Sequence, residues 1–323
     1  MATDWCSHIG CALTWYVALV FVYKVSKGIW TSWLGHALGF GYKLQPTSDS
    51  YAVITGATDG IGLEYAKYFG SKGYNLLLIS RSSDKLHTAK EQVIALAKKP
   101  IDVRIHQADF SRTDIYEAIG KMLATLPSIE VLVNNVGVSY EYAEYLGKIP
   151  NAAEILNNIV NVNIVSCTQM VNLVLPRMEK QRKGLILNLS SFTASYPSPL
   201  LSAYGASKTY VDFLSRALQI EYESKKIVIQ SVLPAFVSTK MSKIRKASWM
   251  VPSPKSYVAA QMKTVGFETR TYGYWAHKLQ GFVLDNIVPY FAGSEANSRI
   301  THKSLLGVRA KVYKKKGLKD KEE

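Results

Sequence analysis

Short apolar runs alternate with stretches of helical periodicity through the middle of the chain. The runs typical of buried strands are 51–55, 75–79, 103–106, 131–134, 185–189 and 228–233. The helical stretches are 60–71, 83–98, 114–126, 153–180 and 201–224. The second of them has Ser82 or Ser83 as its predicted cap and ends at about Lys98, and the fourth is predicted to be interrupted near Pro176. Strands that alternate with helices at this spacing predict a parallel sheet covered on both faces. We therefore expect an α/β fold with a Rossmann-type doubly wound sheet.

A different pattern precedes the first strand. Trp5 to Tyr23 contains no Asp, Glu, Lys or Arg, and as a helix it would be about 28 Å long, close to the hydrocarbon thickness of a bilayer. Lys24 and Lys27 follow it, so the positive-inside rule predicts a luminal N-terminus and a cytosolic remainder. A signal peptide is the alternative, but no basic region precedes the apolar run. A buried helix of a soluble protein is the other alternative.

These patterns divide the chain into four predicted parts. Residues 1–45 form a membrane anchor, in which the uncharged stretch Gly28–Tyr42 is interfacial or a re-entrant partner of the first helix. Residues 46–275 form the catalytic domain. Residues 276–298 are apolar but contain Lys278 and Asp285, which predicts a membrane-lying or substrate-tunnel element rather than a second span. Residues 299–323 form a basic cytosolic tail.

The charge distribution changes the choice of partners. The 323 residues carry a net charge of +15, which by itself is typical of nucleic-acid binding. However, the tail 299–323 contributes +6 and the run Lys240–Lys246 contributes +4, so the remaining body is nearly neutral. This pattern favours the anionic face of a membrane or an anionic substrate over a phosphate backbone. Three scattered cysteines and six histidines without ligand spacing predict neither disulfides nor a metal site.

A glycine-rich turn follows the first predicted strand and opens the first helix of the domain. It reads Thr55-Gly56-Ala57-Thr58-Asp59-Gly60-Ile61-Gly62. A dinucleotide pyrophosphate binds at such a strand–turn–helix junction, where glycines permit a tight turn, close approach of the phosphates and close helix packing. We predict a dinucleotide site that includes Gly56, Thr58, Asp59, Gly60, Ile61 and Gly62.

The end of the second strand indicates which dinucleotide binds. An acidic residue there is typical of NAD sites, but this chain has Ser80 and Arg81. Arg81 is suited to a 2′-phosphate through charge-assisted hydrogen bonds. The predicted cofactor is therefore NADPH/NADP, held in part by Ser80 and Arg81.

A serine, a tyrosine and a lysine form the candidate catalytic set. Tyr204 and Lys208 are one helical turn apart, and Ser191 follows the fifth strand, so all three are expected at the carboxyl edge of the sheet. A phenol has an ordinary pKa near ~10. The Lys208 ammonium is expected to lower the pKa of Tyr204 and to suit it to acid–base chemistry.

Together these motifs resemble the short-chain dehydrogenase/reductase superfamily over residues 50–275. Asn134-Asn135-Val136-Gly137 is similar to the family's Asn-Asn-Ala-Gly motif, with Val136 a departure, and 234–239 is similar to its Pro-Gly…Thr segment, with Ala235 in place of glycine. The resemblance implies cofactor contacts by Asp109, Asn135, Tyr204, Lys208, Val237 and Thr239. It also implies a catalytic tetrad of Asn163, Ser191, Tyr204 and Lys208, with Ser191 and Tyr204 binding the substrate ketone.

Further segments resemble the branch of 17β-hydroxysteroid dehydrogenases of types 3 and 12. They are 134–142, 231–234, 243–246, 252–254 and 263–266. This resemblance implies NADPH-dependent reduction of 3-oxoacyl-CoA to 3-hydroxyacyl-CoA in very-long-chain fatty acid elongation. A steroid dehydrogenase (17-keto or ecdysteroid type) is the alternative. An inactive nucleotide-binding membrane scaffold is a second one, although the inactive branch carries Phe where this chain has Tyr204.

The resemblance also implies a setting. It places the enzyme in the endoplasmic reticulum membrane, with other elongation-cycle enzymes as partners and a homodimer through the helices of Asn163 and Tyr204. Lys319 and Lys321 resemble a cytosolic dilysine retrieval signal. Residues 240–266 lie where this family has its substrate lid, and Lys240, Lys243, Arg245 and Lys246 are suited to the phosphates of CoA. A solvated or membrane-facing basic surface is the alternative for that run.

Overall fold

The computed structural model describes residues 2–318. Its centre is a parallel sheet of seven strands in the order β3-β2-β1-β4-β5-β6-β7. The strands are β1 (Ser50–Thr55), β2 (Asn75–Ser80), β3 (Val103–Gln107), β4 (Ser128–Asn134), β5 (Gly184–Leu189), β6 (Ile227–Val232) and β7 (Arg270–Thr271). The order reverses between β1 and β4, which confirms the predicted doubly wound class.

Helices cover both faces of this sheet, and the N-terminal helix lies outside it. In chain order they are α1 (Ala2–Ile29), α2 (Gly35–Ala37), α3 (Gly60–Ser71), α4 (Ser83–Ile94), α5 (Tyr116–Ala124), α6 (Ala152–Ile159), α7 (Ser166–Gln181), α8 (Ser202–Tyr222), α9 (Pro254–Met262), α10 (Trp275–Phe282), α11 (Val288–Ala292) and α12 (Ala296–Lys316). One core packs Tyr65 and Phe69 of α3 against the sheet, and the other packs Val174 and Met178 of α7. The strands are apolar on both faces because each face is buried.

Three details differ from the sequence prediction. The helix after β2 ends at Ile94 instead of about Lys98, and Ser82 precedes it without a side-chain cap. Pro176 lies inside α7 and does not interrupt it. The irregularity lies earlier, in a π-helical turn at Val160–Val165 that joins α6 to α7. β7 was not predicted, because a strand of two residues has no recognisable period.

The N-terminal helix is longer than predicted. α1 passes through a π-helical turn (Trp30–Leu34) into α2, so the described residues include one apolar helix over His8–Ala37, whose most apolar window is not buried by the rest of the protein. Most of the stretch Gly28–Tyr42 continues the helix, which does not fit a re-entrant partner of the first helix, while an interfacial position for this stretch stays a prediction. Ala152–Gln181 also passes a length and hydropathy test for a span, but half of its window is buried in the domain. His8–Ala37 is thus the candidate membrane anchor.

Polar contacts fix the end of the anchor to the catalytic domain. Thr31 is buried, and its hydroxyl donates to Glu268 at 2.5 Å. Lys278 of α10 donates to Glu268 at 2.8 Å and to Ser32 at 2.9 Å. Gly35 packs beside the ring of Phe267 so closely that a Cβ would lie 2.8 Å from it. The anchor therefore enters the domain as a packed helix.

Much of the segment expected to be a basic tail is a docked helix. Arg309 of α12 donates to Glu144 at 2.7 Å, and both side chains are at most 5% exposed. The hydroxyl of Tyr313 donates to the same carboxylate. Burial alone would raise the pKa of Glu144, but hydrogen bonds from Tyr313 and Arg309 outweigh it and hold the pKa below its usual value. The dilysine-like Lys319 and Lys321 lie outside the described residues.

Candidate active site

The glycine turn between β1 and α3 is shaped by contacts that exclude side chains. Gly56 and Gly60 have φ values of +64° and +53°, in the region that favours glycine. A Cβ at Gly62 would lie 2.3 Å from the carbonyl oxygen of Gly56. This close approach leaves a backbone cradle at the N-terminus of α3, where the helix dipole favours a negative charge. The cradle fits a dinucleotide pyrophosphate.

Neighbouring side chains hold this turn in place. The Asn135 amide donates to the carbonyl oxygens of Thr55 and Gly56 at 3.2 and 3.1 Å. Asp59 caps α3 by accepting from the backbone N–H of Gly60 at 2.8 Å. Asn135, predicted to bind cofactor, therefore has its amide engaged with the turn, and its geometry indicates a positioning role.

Other predicted cofactor residues lie along the same edge of the sheet. The Thr58 and Ser80 hydroxyls are 3.2 Å apart, and Arg81 follows them on the surface. Asp109, just after β3, accepts from the backbone N–H and hydroxyl of Ser111 at 3.0 and 2.9 Å. Thr58, Ser80, Arg81 and Asp109 thus follow the carboxyl ends of β1 to β3, as a cofactor bound in the crevice requires.

The opposite wall of the cleft comes from the segment after β6. Val237 is buried, and Thr239 approaches the turn so that a Cβ at Gly60 would lie 3.3 Å from its methyl group. Ile61 is partly buried at the first turn of α3. The turn and the 237–239 segment therefore face each other across the site.

The predicted catalytic side chains meet at the ends of β5 and α8. Ser191 lies two residues beyond β5, and Tyr204 and Lys208 share one face near the start of α8. The Lys208 ammonium lies 6.0 Å from the centre of the Tyr204 ring. It donates to the carbonyl oxygen of Leu189 at 2.8 Å, and the Ser190 hydroxyl donates to the carbonyl of Lys208 at 2.6 Å. Two links from β5 thus fix the lysine.

The electrostatics of this cluster differ from the simple expectation. Burial raises the pKa of Tyr204, and a hydrogen bond with Ser191 opposes the rise. Burial lowers the pKa of Lys208 to about 8. The expectation that Lys208 lowers the pKa of Tyr204 is not what the structure shows, because burial disfavours the charge on both groups. Tyr204 is therefore a protonated phenol at neutral pH, suited to donating a proton.

Asn163 lies in the π-helical turn and is almost completely buried. Its side-chain oxygen accepts from the N–H of Val138 at 2.8 Å, and its amide donates to the carbonyl of Val138 and to the hydroxyl of Ser207, each at 2.9 Å. A Cβ at Gly137 would lie 3.1 Å from the Lys208 nitrogen and 3.4 Å from the Asn163 side-chain oxygen. The fourth predicted residue therefore joins the same cluster.

His277 was missed by the sequence prediction. It is fully buried in α10, where its Nδ1 accepts from the N–H of Ala235 at 3.3 Å and its Nε2 lies 3.2 Å from the carbonyl of Met250. Burial lowers the pKa of His277 to about 4, so the ring is neutral at physiological pH. It ties the segment after β6 to residues 240–266, the segment predicted to be the substrate lid. No spacing signal in the sequence could have revealed this contact.

A basic cavity opens beside the glycine turn. Its volume is about 930 Å³, and its walls are Asp59, Gly60, Leu63, Glu64, Ser238, Thr239, Lys240, Lys243, Ile244, Arg245, Ser253, Pro254, Lys255 and Lys315. Three of the four lid cations singled out in the sequence line it, and Lys246 does not. Lys255 and Lys315 were not anticipated. We refer to this space as the basic cavity.

Comparison with known proteins assigns the family. The family model described as short chain dehydrogenase matches residues 50–248. The chain belongs to this family. The Ser191–Tyr204–Lys208 cluster lies within the matched residues, and the family resemblance found in the sequence is confirmed.

Several relatives extend the likeness beyond the family model. The chain is 45% identical to very-long-chain 3-oxoacyl-CoA reductase-A of Danio rerio, over 87% of this chain and 86% of the relative. It is 42% identical to the very-long-chain 3-oxoacyl-CoA reductase of Homo sapiens, over 86% of this chain and 87% of the relative. The match thus extends well outside residues 50–248.

Solved structures give the same fold. A short-chain dehydrogenase from Sphingobium yanoikuyae in complex with NADPH superposes with a TM-score of 0.61 at 26% identity, covering 69% of this chain and 87% of that one. A 7beta-hydroxysteroid dehydrogenase superposes with a TM-score of 0.70, covering 78% of this chain and 96% of that one, but at 18% identity it supports the fold alone.

Proposed function

We propose that this protein is an NADPH-dependent reductase that converts very-long-chain 3-oxoacyl-CoA to 3-hydroxyacyl-CoA in fatty acid elongation. The observation that carries the chemistry is the convergence of Ser191, Tyr204, Lys208 and Asn163 at the carboxyl edge of the sheet. The acyl-CoA substrate is supported by relatives at 42 and 45% identity that are named for it.

The cofactor site supports NADPH/NADP. The cradle at Gly56, Gly60 and Gly62 would hold the pyrophosphate, and Arg81 would meet the 2′-phosphate. The Sphingobium neighbour was solved with NADPH. When bound, NADPH supplies the hydride for carbonyl reduction. Asp109 would face the adenosine end, while Val237 and Thr239 would border the nicotinamide.

The residues of this chain handle the proton and the oxygen charge. Ser191 and Tyr204 would donate hydrogen bonds to the ketone oxygen, and Tyr204 would then transfer its proton as negative charge develops there. The raised pKa of Tyr204 keeps the phenol protonated until that moment. Lys208 would bind the nicotinamide ribose and stabilise the phenolate left behind.

Asn163 would complete the path for reprotonation. Its side chain is held by Val138 and Ser207, and in this fixed position Asn163 would hold a water next to Lys208. Such a water would link Lys208 to solvent and return a proton to Tyr204.

Turnover of paired substrates tests the proposal. Purified full-length protein in detergent micelles is given NADPH with 3-oxostearoyl-CoA and, separately, with 17-keto and ecdysteroid ketones. We expect rapid oxidation of NADPH with the acyl-CoA and slow oxidation with the steroids. A preference for steroids would transfer the proposal to a steroid dehydrogenase. Binding of NADPH without turnover of any ketone would indicate a nucleotide-binding scaffold.

We also propose that the uncharged stretch Trp5–Tyr23 of the N-terminal helix spans the endoplasmic reticulum membrane, with Lys24 and Lys27 at its cytosolic end and the catalytic domain and C-terminus in the cytosol. Lys24 and Lys27 support this orientation, because basic residues favour the cytosolic side. A glycosylation acceptor fused before residue 1 should be modified in microsomes, and one fused after residue 323 should not. The reverse pattern would contradict the orientation.

A homodimer through α7 and α8 is the proposed assembly. Phe213 and Ile220 on the outer face of α8 are 68 and 77% exposed, which is unusual for large apolar side chains on one helix. Light scattering of the detergent-solubilised protein should give a dimer mass, and F213E/I220E should give a monomer. An unchanged mass would argue against this interface.

Other elongation-cycle enzymes are the proposed heterologous partners. Crosslinking in microsomes tests this association.

A further inference from the structure

The basic cavity joins parts of the chain that are far apart in sequence. Lys240, Lys243 and Arg245 come from the lid, and Lys255 lies in the first turn of α9. Lys315 comes from the last turn of α12. It reaches the cavity because the buried Arg309–Glu144 pair holds α12 against the domain.

Two of the five basic side chains are already engaged. Lys240 forms an ion pair with Asp59 at 2.6 Å, and Lys243 donates to the carbonyl of Glu141 at 2.8 Å. Within residues 2–318, Arg245, Lys255 and Lys315 have no ion pair or hydrogen bond from their side chains. Like charges gathered in one cavity repel each other, and an anion between them removes that repulsion.

The basic cavity overlaps the predicted cofactor site at Asp59, Gly60 and Thr239 and extends away from it along α3. Predicted cofactor contacts run from Arg81 through the glycine turn to Tyr204, whereas the cavity continues past Gly60 to Leu63 and Glu64 on α3. Its volume of about 930 Å³ far exceeds that of one phosphate group and falls in the range of pockets for whole ligands.

We propose that the basic cavity binds the phosphorylated adenosine end of the CoA substrate, with Lys315 of the C-terminal helix as one of its phosphate ligands. This inference rests on the proposed function, because among the candidate substrates the CoA thioester carries this group and the steroids do not. A 3′-phosphate and a pyrophosphate present several negative charges, which match Arg245, Lys255 and Lys315. The C-terminal helix is thus part of the substrate site.

The test compares two thioesters of the same acyl chain, of which only one carries this end. Full-length protein reduces 3-oxostearoyl-CoA or the 3-oxostearoyl thioester of N-acetylcysteamine, which lacks the adenosine and phosphates. The variants are K315E and K255E. K303E is the matched control, because Lys303 is exposed on α12 and does not line the cavity.

We expect K315E and K255E to raise KM for the CoA thioester about tenfold, equivalent to ~1.4 kcal/mol. Both variants should leave kcat, KM for NADPH and KM for the N-acetylcysteamine thioester unchanged, and K303E should resemble the parent protein. The tenfold difference should shrink in high salt, because salt screens charges at the cavity mouth.

Other outcomes overturn the inference in distinguishable ways. A KM for the CoA thioester within twofold of the parent in both variants refutes it. A rise confined to KM for NADPH would mean that the cavity serves the cofactor. Equal rises for both thioesters would mean that the lysines affect the acyl site. If the unaltered protein reduced no 3-oxoacyl thioester, the proposed function itself would fail.

Discussion

Arg309 and Glu144 form an almost completely buried ion pair at 2.7 Å across 165 residues of sequence. Glu144 belongs to the loop after β4, which packs against the start of α8. The backbone N–H of Glu144 donates to the carbonyl of Leu200, just before α8, at 2.9 Å. In the same segment the Tyr140 hydroxyl accepts from the N–H of Ala203, next to Tyr204. The pair therefore helps to fix the chain around Tyr204, the proposed proton donor.

Removing one member of this pair should destabilise the docked C-terminal helix. We expect R309M to cost about 3–5 kcal/mol, because Glu144 would keep a buried charge without its main partner. The double variant E144L/R309M should recover most of the loss, since two apolar side chains leave no buried charge. Thermal unfolding and limited proteolysis of α12 measure the effect. K316M breaks a pair that is more exposed and should cost under ~1 kcal/mol.

Tyr204 should be required for chemistry but not for folding. We expect Y204F to lower kcat by about 10²- to 10⁴-fold, the usual contribution of a positioned acid. Fluorescence titration should still detect NADPH binding. Y222F removes a phenol from the last residue of the same helix and should retain full turnover. Normal turnover by Y204F would refute the proposed proton transfer.

Because Gly62 lies so close to Gly56, we expect an added methyl group at position 62 to lower both stability and NADPH affinity. G62A would place a Cβ 2.3 Å from a backbone oxygen that cannot move freely. It should cost about 1–3 kcal/mol of stability and weaken NADPH binding at least tenfold, because the turn must open. G307A is the control, because a Cβ there meets no atom within 4 Å. It should be neutral or stabilising by about 0.5–1 kcal/mol.

His277 should make the domain sensitive to acid. Its pKa is about 4 when folded and near ~6.5 when unfolded, so the unfolded chain binds more protons between these values. The contribution of neutral His277 to the free energy of unfolding is fully present above pH ~6.5. The free energy of unfolding should fall by about 3 kcal/mol as the pH drops to about 4. H277Q keeps hydrogen-bonding groups but does not titrate, so its unfolding curve should be flatter over this window. Parallel pH profiles for both proteins would contradict this assignment.

Local spacing explains which features were predictable from the sequence. The turn from Gly56 to Gly62 and the pair Tyr204–Lys208 are short-range patterns whose geometry follows from one turn or one helix. The parallel order of the strands follows from the helices between them. Arg81 and Ser191 were located because each follows a strand end, and strand ends in a parallel sheet share one edge.

The features that were not predictable depend on contacts made only after folding. Lys315 reaches the basic cavity, and His277 reaches Ala235 and Met250, through packing that leaves no periodic trace. Pro176 was expected to break a helix. It is exposed, however, and the carbonyl of Asn172, which would have accepted its missing N–H, also lies on the solvent side. Water can satisfy that carbonyl, so the helix continues.

The junction at Trp30–Leu34 has a mechanical meaning. A disordered linker would let the catalytic domain reorient freely relative to the N-terminal helix. Here the helix is continuous into the domain and is held there by hydrogen bonds at Thr31 and Ser32. Such a rigid junction couples the orientation of the domain to that of the helix. A helix in a bilayer can tilt to match its apolar length to the thickness of the hydrocarbon layer. If this helix spans a bilayer as proposed, the angle between the cleft and the lipid surface follows the tilt of the helix.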